Sequence, residues 1–272
     1  MRVTPVEPSD PRVGEFARLT DVQWRRQQEP KWGMFLAEGE KVIRRALAAG
    51  YRPRVVLCSP RFLPGIEELL AADDVDVLVA DESVLREIVG FRLHRGALAS
   101  FERKPAPEPA DLIIRARRLL VLEDLVDHTN VGLVFRSAAA LGIDAVLVSP
   151  GCADPYYRRS LKTSMGAVLA LPWTVAEPWP DVLGWLRAQG WLLAALTPDP
   201  RALPVADGVA EAARSLAAGV ALLLGSEGPG LTPRARAEVQ QQWRIPMTDR
   251  VDSLNVAAAA AIACYELAKT SR

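Results

Sequence analysis

Glu227 stands in the middle of Gly225-Ser226-Glu227-Gly228-Pro229-Gly230, a run in which glycine keeps recurring. Glycine at this density lets the backbone turn sharply or lets another group approach the main chain closely. A second short apolar run, Trp243 to Ile245, is cut by Pro246 and ends on Met247. A third stretch reads Asp252-Ser253-Leu254-Asn255-Val256. Loops whose backbone donors and acceptors lack ladder partners suit an adenine-containing ligand. The common nucleotide cradles do not fit, because the glycine run lacks the Lys-Ser/Thr of a phosphate loop and the G-x-G-x-x-G spacing. Taken alone, the glycine run also reads as an ordinary turn after a strand.

Asn130, Gly132 and Arg136 form a second group, spaced Asn-x-Gly-x-x-x-Arg-Ser-Ala. Asn130 suits a helix N-cap, and Val131, Val134, Phe135, Ala138 and Leu141 make one apolar stripe behind it. Arg136 falls off that stripe, on the side of Gly132, and from the helix alone it reads as a solvent-exposed arginine. A third group, Tyr156, Tyr157, Arg158, Arg159 and Lys162, puts cations beside aromatic rings. Cations neutralise phosphates and rings stack on bases, the pairing that single-stranded RNA recognition uses. The plain alternative is a polar loop leading into a helix. His128 and His94 each stand alone, the first expected in a loop near the site and the second on the polar surface. Cys58, Cys152 and Cys264 are far apart with no Cys-x-x-Cys, so no metal site is expected.

Alternating strands and helices must position these groups. Val220 to Leu224 is a short apolar run, as in a strand buried on both faces, and it delivers the glycine loop. Leu119 to Leu122, the helix from Asn130 to Gly142, and Ala145 to Val148 read as a right-handed β-loop-α-β crossover. Trp191 to Leu196 adds a strand after a helix near Asp181 to Gln189, and Val256 to Leu267 is an Ala-rich buried helix. Upstream, strands at Phe35–Ala37, Val55–Cys58, Val75–Val79 and Gly96–Phe101 alternate with helices at Lys41–Ala49, Ile66–Ala71 and Asp81–Val89. That alternation defines a small first α/β domain over residues 1–104. Three prolines within residues 103–110 mark 105–110 as a semi-rigid linker, leaving 111–272 as a second α/β domain. Arg18, Arg25, Arg26 and Lys31, within 10–31, read as a solvated helix face or an RNA-contacting surface.

At 272 residues, half of them hydrophobic, the chain can bury two real cores. Lys plus Arg and Asp plus Glu are both 33, so RNA binding would need a local basic surface rather than overall charge. No signal core opens the sequence and no 18-residue apolar run occurs, so a cytoplasmic protein without membrane association is expected.

Gly225-Ser-Glu227-Gly-Pro-Gly230-Leu, Ile245-Pro-Met247 and Ser253-Leu-Asn255-Val, in that order, resemble the second and third motifs of the SpoU (TrmH) family of SPOUT-class RNA methyltransferases. Asn130-x-Gly-x-x-x-Arg136 resembles the first motif. Residues 111–272 are similar to the catalytic domain of that family, and the first domain is similar to the ribosomal-protein-like substrate-binding domain that often precedes it. The resemblance implies a C-terminal trefoil knot, an S-adenosyl-L-methionine pocket without metal, a homodimer through the C-terminal domain, and rRNA or tRNA as substrate. It implies catalytic roles for Arg136, Asn130, Glu227, Ser253 and Asn255, and cofactor binding by Leu224, Gly225, Glu227, Ile245, Met247, Ser253, Leu254 and Asn255. Arg158, Arg159 and Lys162 would contact RNA. Ala257 departs from the Ser that many relatives carry there, a hydroxyl not usually assigned the chemistry.

The implied reaction is attack of a ribose 2′-hydroxyl on the sulfonium methyl, catalysed mainly by positioning plus help with one proton. In the family arginine is proposed to take that proton, although a guanidinium ordinarily stays charged. Orienting the hydroxyl and holding the adjacent phosphate is the other role open to Arg136. Methylation of an RNA base, or RNA binding without catalysis, are the competing expectations.

Overall fold

The proline-rich stretch divides the chain as its composition demands, yet the division is not a single cut. In this computed structural model, which describes residues 1–93 and 96–269, the first unit is Met1–Pro105 together with Tyr156–Leu169. The second is Ala106–Pro155 together with Ala170–Arg272. The expected linker at 105–110 also runs into a short helix that begins at Pro109. His94 lies outside the described residues.

In the first unit the chain runs β1 (Arg2–Pro5), α1 (Val22–Lys31), β2 (Met34–Glu38), α2 (Glu40–Ala48), β3 (Pro53–Cys58), α3 (Leu63–Leu69), β4 (Asp76–Val79), α4 (Glu82–Val89) and β5 (Ala97–Glu102). Its sheet has the order β1-β4-β3-β5-β2, with β1 and β3 parallel to β4 and with β5 antiparallel to β3 and β2. Every residue of β2 is buried, so this strand has covered faces on both sides. β1 has no apolar pattern of its own; it forms as an exposed edge strand because β4 offers it a ladder, and Pro5 at its end suits an edge.

Arg18, Arg26 and Lys31 are exposed, as a solvated or RNA-contacting face at 10–31 requires, but the expectation needs correction at Arg25. Asp21 caps α1 through Trp24 N at 3.0 Å, but Arg25 is only 1% exposed. Its Nε donates to Glu29 Oε1 at 2.7 Å and its Nη1 to the Glu15 carbonyl at 2.8 Å. Its guanidinium also lies 5.8 and 5.9 Å from the Trp24 and Trp32 ring centroids. The arginine is thus a packed internal ion-pair partner, whose charge the periodicity alone could not place.

The second unit continues with α5 (Pro109–Ile113), β6 (Arg118–Leu122), α6 (His128–Ala140) and β7 (Ala145–Val148). The chain then gives α7 (Arg158–Thr163) to the first unit and returns for β8 (Trp173–Val175), α8 (Asp181–Ala188), β9 (Trp191–Leu196), β10 (Leu203–Pro204) and α9 (Val205–Arg214). It closes with β11 (Gly219–Leu224), α10 (Pro233–Glu238), β12 (Gln241–Arg244) and α11 (Val256–Ala268). The sheet order is β10-β12-β9-β11-β6-β7-β8, and every neighbouring pair is parallel. Leu119 to Leu122 and Ala221 to Leu224 are 0–2% exposed, as their unbroken apolar runs require. α11 packs along α6.

Candidate active site

Three neighbouring strands, β12, β9 and β11, end side by side at their carboxyl ends, and in parallel sheets the crevice beyond those ends is where ligands bind. A cleft of about 610 Å³ opens there. β11 delivers Leu224 and Gly225 to it, β12 delivers Ile245 and Met247, and the chain entering α11 delivers Ser253, Leu254 and Asn255. All the residues expected to hold a cofactor, Glu227 included, line this one cleft.

The glycines have specific reasons to be glycine. A Cβ on Gly225 would sit 2.3 Å from the backbone of Gly230 and Leu231, so the two ends of the loop touch. Gly230 N donates to Ser226 O at 3.0 Å and Ser226 Oγ to Gly230 O at 3.2 Å, closing the loop on itself. Glu227 is left at the tip.

There it meets two amides. Asn130 Nδ2 donates to Glu227 Oε1 at 2.8 Å, and Asn255 Nδ2 donates to the same oxygen at 3.1 Å. Asn255 Nδ2 also donates to Asn130 Oδ1 at 3.1 Å, which completes a triangle. The three residues come from α6, from the glycine loop and from the start of α11. Asn255 is the N-cap of α11, its Oδ1 accepting from Ala257 N at 2.9 Å, so one side chain both starts a helix and holds Glu227. The expected cap of α6 moves: Asp127 is the N-cap, and its Oδ1 accepts from Asn130 N at 3.2 Å. Freed from capping, the Asn130 side chain is available to Glu227.

Arg136 is exposed on α6 and has no hydrogen-bond or ion-pair partner among the described residues. It is not among the residues that line the cleft. His128 is buried at the first position of α6 instead of sitting in an open loop.

The three cations expected on RNA separate. Arg158 Nη1 and Lys162 Nζ each lie 2.6 Å from a different oxygen of Glu38, a carboxylate whose side chain is 1% exposed. Burial pushes the Glu38 carboxyl up, but the Lys162 ammonium and the Arg158 guanidinium outweigh it and hold the group below its usual range. Arg158 and Lys162 are therefore engaged inside the first unit, whereas Arg159 is exposed and has no ion pair among the described residues.

Thiol chemistry does not compete with the cleft. Burial pushes Cys264 up to about 12, and burial with the Glu67 charge does the same for Cys58. Cys152 is also raised by burial, and its Sγ donates to Leu122 O at 3.2 Å. All three stay protonated at neutral pH and are poor nucleophiles.

Asp252, which opens the third stretch, lines the cleft, as do Thr197 and Pro198, to which no motif pointed. Thr197 and Pro198 follow β9 directly, and the signal for them was positional: β9 lies beside β11, so its carboxyl end reaches the same crevice.

An all-parallel sheet with a glycine-shaped cleft at its carboxyl edge, and without the Lys-Ser/Thr of a phosphate loop, defines an α/β unit with a ligand site of its own. The chain belongs to the SpoU rRNA methylase family, whose pattern matches residues 117–265. An MRM3-like substrate-binding domain matches residues 10–92. An uncharacterized tRNA/rRNA methyltransferase of Mycobacterium bovis is 38% identical over 96% of this chain and 89% of its own length. A 23S rRNA guanosine-2′-O-methyltransferase of Bacillus subtilis is 25% identical over 89% of this chain and 91% of its own. Among solved structures, an AdoMet-bound rRNA methyltransferase from Sinorhizobium meliloti superposes with a TM-score of 0.83, at 25% identity and 99% coverage of both chains.

Proposed function

We propose that this methyltransferase carries a methyl group from S-adenosylmethionine to a ribose 2′-hydroxyl of ribosomal or transfer RNA. The observation that carries the reading is the Asn130–Glu227–Asn255 triangle at the cleft, where the three motif segments converge on one carboxylate. The 2′-O activity of the Bacillus subtilis relative and the AdoMet bound to the Sinorhizobium meliloti neighbour support it.

The cleft fits such a cofactor. Its volume is within the roughly 300–1,000 Å³ that small-molecule sites occupy. Leu224, Ile245, Met247 and Leu254 supply apolar walls for an adenosine, and the strand-end backbone supplies polar groups for its edge. Asp252 and Glu227 are the charged residues of the lining, and both are acidic, which suits a sulfonium and an ammonium. When bound, the cofactor supplies the electrophilic methyl group. The protein's share is positioning: the Asn130 and Asn255 amides fix Glu227, and Ser253 adds a hydroxyl beside them. Arg136, unpartnered and carrying a planar fork of donors, orients the ribose hydroxyl and its neighbouring phosphate without giving up a proton.

RNA contact falls to Arg159, while Arg158 and Lys162 act indirectly by fixing the segment that carries it. A second copy of the chain covers the exposed apolar side chains Leu133 on α6 and Ile262 and Tyr265 on α11, making a homodimer. The family's trefoil knot belongs to this same reading. Mass spectrometry of nucleosides after reaction of total rRNA and tRNA with isotopically labelled cofactor tests the function: label on ribose supports it, and label on a base or no label refutes it.

A further inference from the structure

Glu123 is a carboxylate at the carboxyl end of β6, just past Leu122, and it is 1% exposed. Among the described residues no cation pairs with it; it accepts three hydrogen bonds instead. Trp179 Nε1 donates to Oε1 at 2.8 Å, Thr232 Oγ1 to Oε1 at 2.7 Å, and Thr232 N to Oε2 at 2.8 Å. A buried carboxylate is costly unless its lone pairs are filled, so three donors converging on one group are a built arrangement.

Two of those donors belong to Thr232, which follows the glycine loop directly. The loop leaves β11 at Gly225, is pinched where Gly225 meets Gly230 and Leu231, and ends at Thr232. Its entry is tied as well, since Glu123 N donates to Leu224 O at 2.9 Å. The residue just past β6 is therefore tied to both ends of the loop, to Leu224 where β11 ends and to Thr232 where the loop ends, leaving Glu227 at the free tip. Thr232 also caps α10, its Oγ1 accepting from Ala235 N at 3.2 Å.

We propose that Glu123 is a positioning residue that clamps the base of the glycine loop, so that Glu227 is presented to Asn130 and Asn255 at the cofactor cleft. Its importance for the cofactor rests on the reading above; its action on the loop does not. Glutamine at this position has nearly the same shape but turns one acceptor oxygen into a donor, which then faces an N–H or O–H that already donates. Thr232→Val unties one of the three bonds and also removes the α10 cap, a loss read separately as faster exchange at Ala235 N, and Thr232→Ser restores both.

The test is residue-resolved amide hydrogen exchange on the cofactor-free chain, together with calorimetric titration of S-adenosylmethionine. In Glu123→Gln and in Thr232→Val we expect faster exchange at 226–232, with β6 and β11 still protected, and cofactor binding weaker by roughly tenfold. Thr232→Ser should restore both readouts, and the Glu123→Gln, Thr232→Val double variant should be no worse than the more affected single one. Should Glu123→Gln fail to fold, the valine and serine variants still decide the question. Unchanged exchange at 226–232 in Thr232→Val, acceleration spread evenly over the second unit, or additive effects in the double variant would overturn the proposal. A wild-type chain that binds no S-adenosylmethionine would sink the functional reading, while the exchange data would still decide the role of Glu123 in the loop.

Discussion

The key carboxylates of the two units are held by opposite kinds of partner. In the first, buried carboxylates face cations: Glu29 meets the buried Arg25, and Glu38 lies between Arg158 and the partly exposed Lys162. In the second, the acidic Glu227 is met by neutral amides at an open cleft, and the buried Glu123 by neutral donors. An internal ion pair fixes packing and presents nothing to a ligand. Glu227, held by neutral amides at the exposed cleft, is open to a cationic group, whereas buried Glu123 spends its lone pairs on the base of the glycine loop. The buried carboxylates Glu29 and Glu38 thus fix packing in the first unit, while in the second Glu227 is turned to the cleft.

The strongest way to break the comparison is to remove one partner of the deepest pair. Arg25→Ala removes the guanidinium that pairs with buried Glu29 and lies near two tryptophan rings. It should cost about 3–5 kcal/mol, read by denaturant unfolding of the whole chain, with cofactor affinity unchanged in the variant that remains folded. A loss below about 1 kcal/mol would put the pair in the class of ordinary surface bridges.

Next in size is Arg136, whose expected effect is on rate alone. Arg136→Ala should lower methyl transfer by ~10²-fold or more and leave cofactor affinity nearly unchanged, because the cleft is built from the ends of β9, β11 and β12. Arg136→Lys should rescue poorly, since an ammonium lacks the bidentate fork. An alanine variant with normal turnover would make Arg136 an ordinary surface residue; cofactor binding lost in parallel would make it structural.

These contrasts explain what could be read in advance. Val220 to Leu224 announced its strand because a strand covered on both faces must be apolar throughout, and the glycine loop announced its turn. Short-range chemistry of this kind is written in adjacent residues. What depends on neighbours distant in sequence was not legible. Arg158 and Lys162 look like free cations until Glu38, about 120 residues earlier, is found between them. Thr197 and Pro198 join the cleft only through the order of the sheet. Asn130 and Asp127 are both good caps by type, and geometry assigned that role to Asp127. β1 was invisible because its stability comes from the edge of β4 and not from its own side chains.

Glu38 gives a smaller, pH-dependent test of the first unit. Its carboxyl is held below the ordinary 4.5, so the ionised form favours the folded state. That stabilisation is fully present above pH 4.5 and fades as the pH falls through the lower folded value. Glu38→Gln should remove on the order of 2 kcal/mol at neutral pH and flatten the loss of stability as the pH falls below 4.5. Urea midpoints measured at several pH values check both parts; equal acid sensitivity in the two proteins would mean that other carboxylates control it.

The smallest change in stability should come from a substitution that divides the two duties of Asn255. Its Oδ1 caps α11 through Ala257 N, and its Nδ2 binds Glu227 and Asn130. Aspartate is as good a cap as asparagine, so Asn255→Asp keeps the start of the helix. The other oxygen then points at Glu227 Oε1, where a donor stood 3.1 Å away, and attraction becomes repulsion. Thermal stability should therefore stay within about 0.5 kcal/mol of wild type, while methyl transfer falls by roughly tenfold or more. Asn255→Ser provides the complement: the cap survives in serine's shorter side chain, the triangle loses a donor, and no charge is added. Its activity should fall between wild type and aspartate. If aspartate instead costs stability and spares activity, Asn255 serves the helix alone, and the triangle is a by-product of where α11 begins.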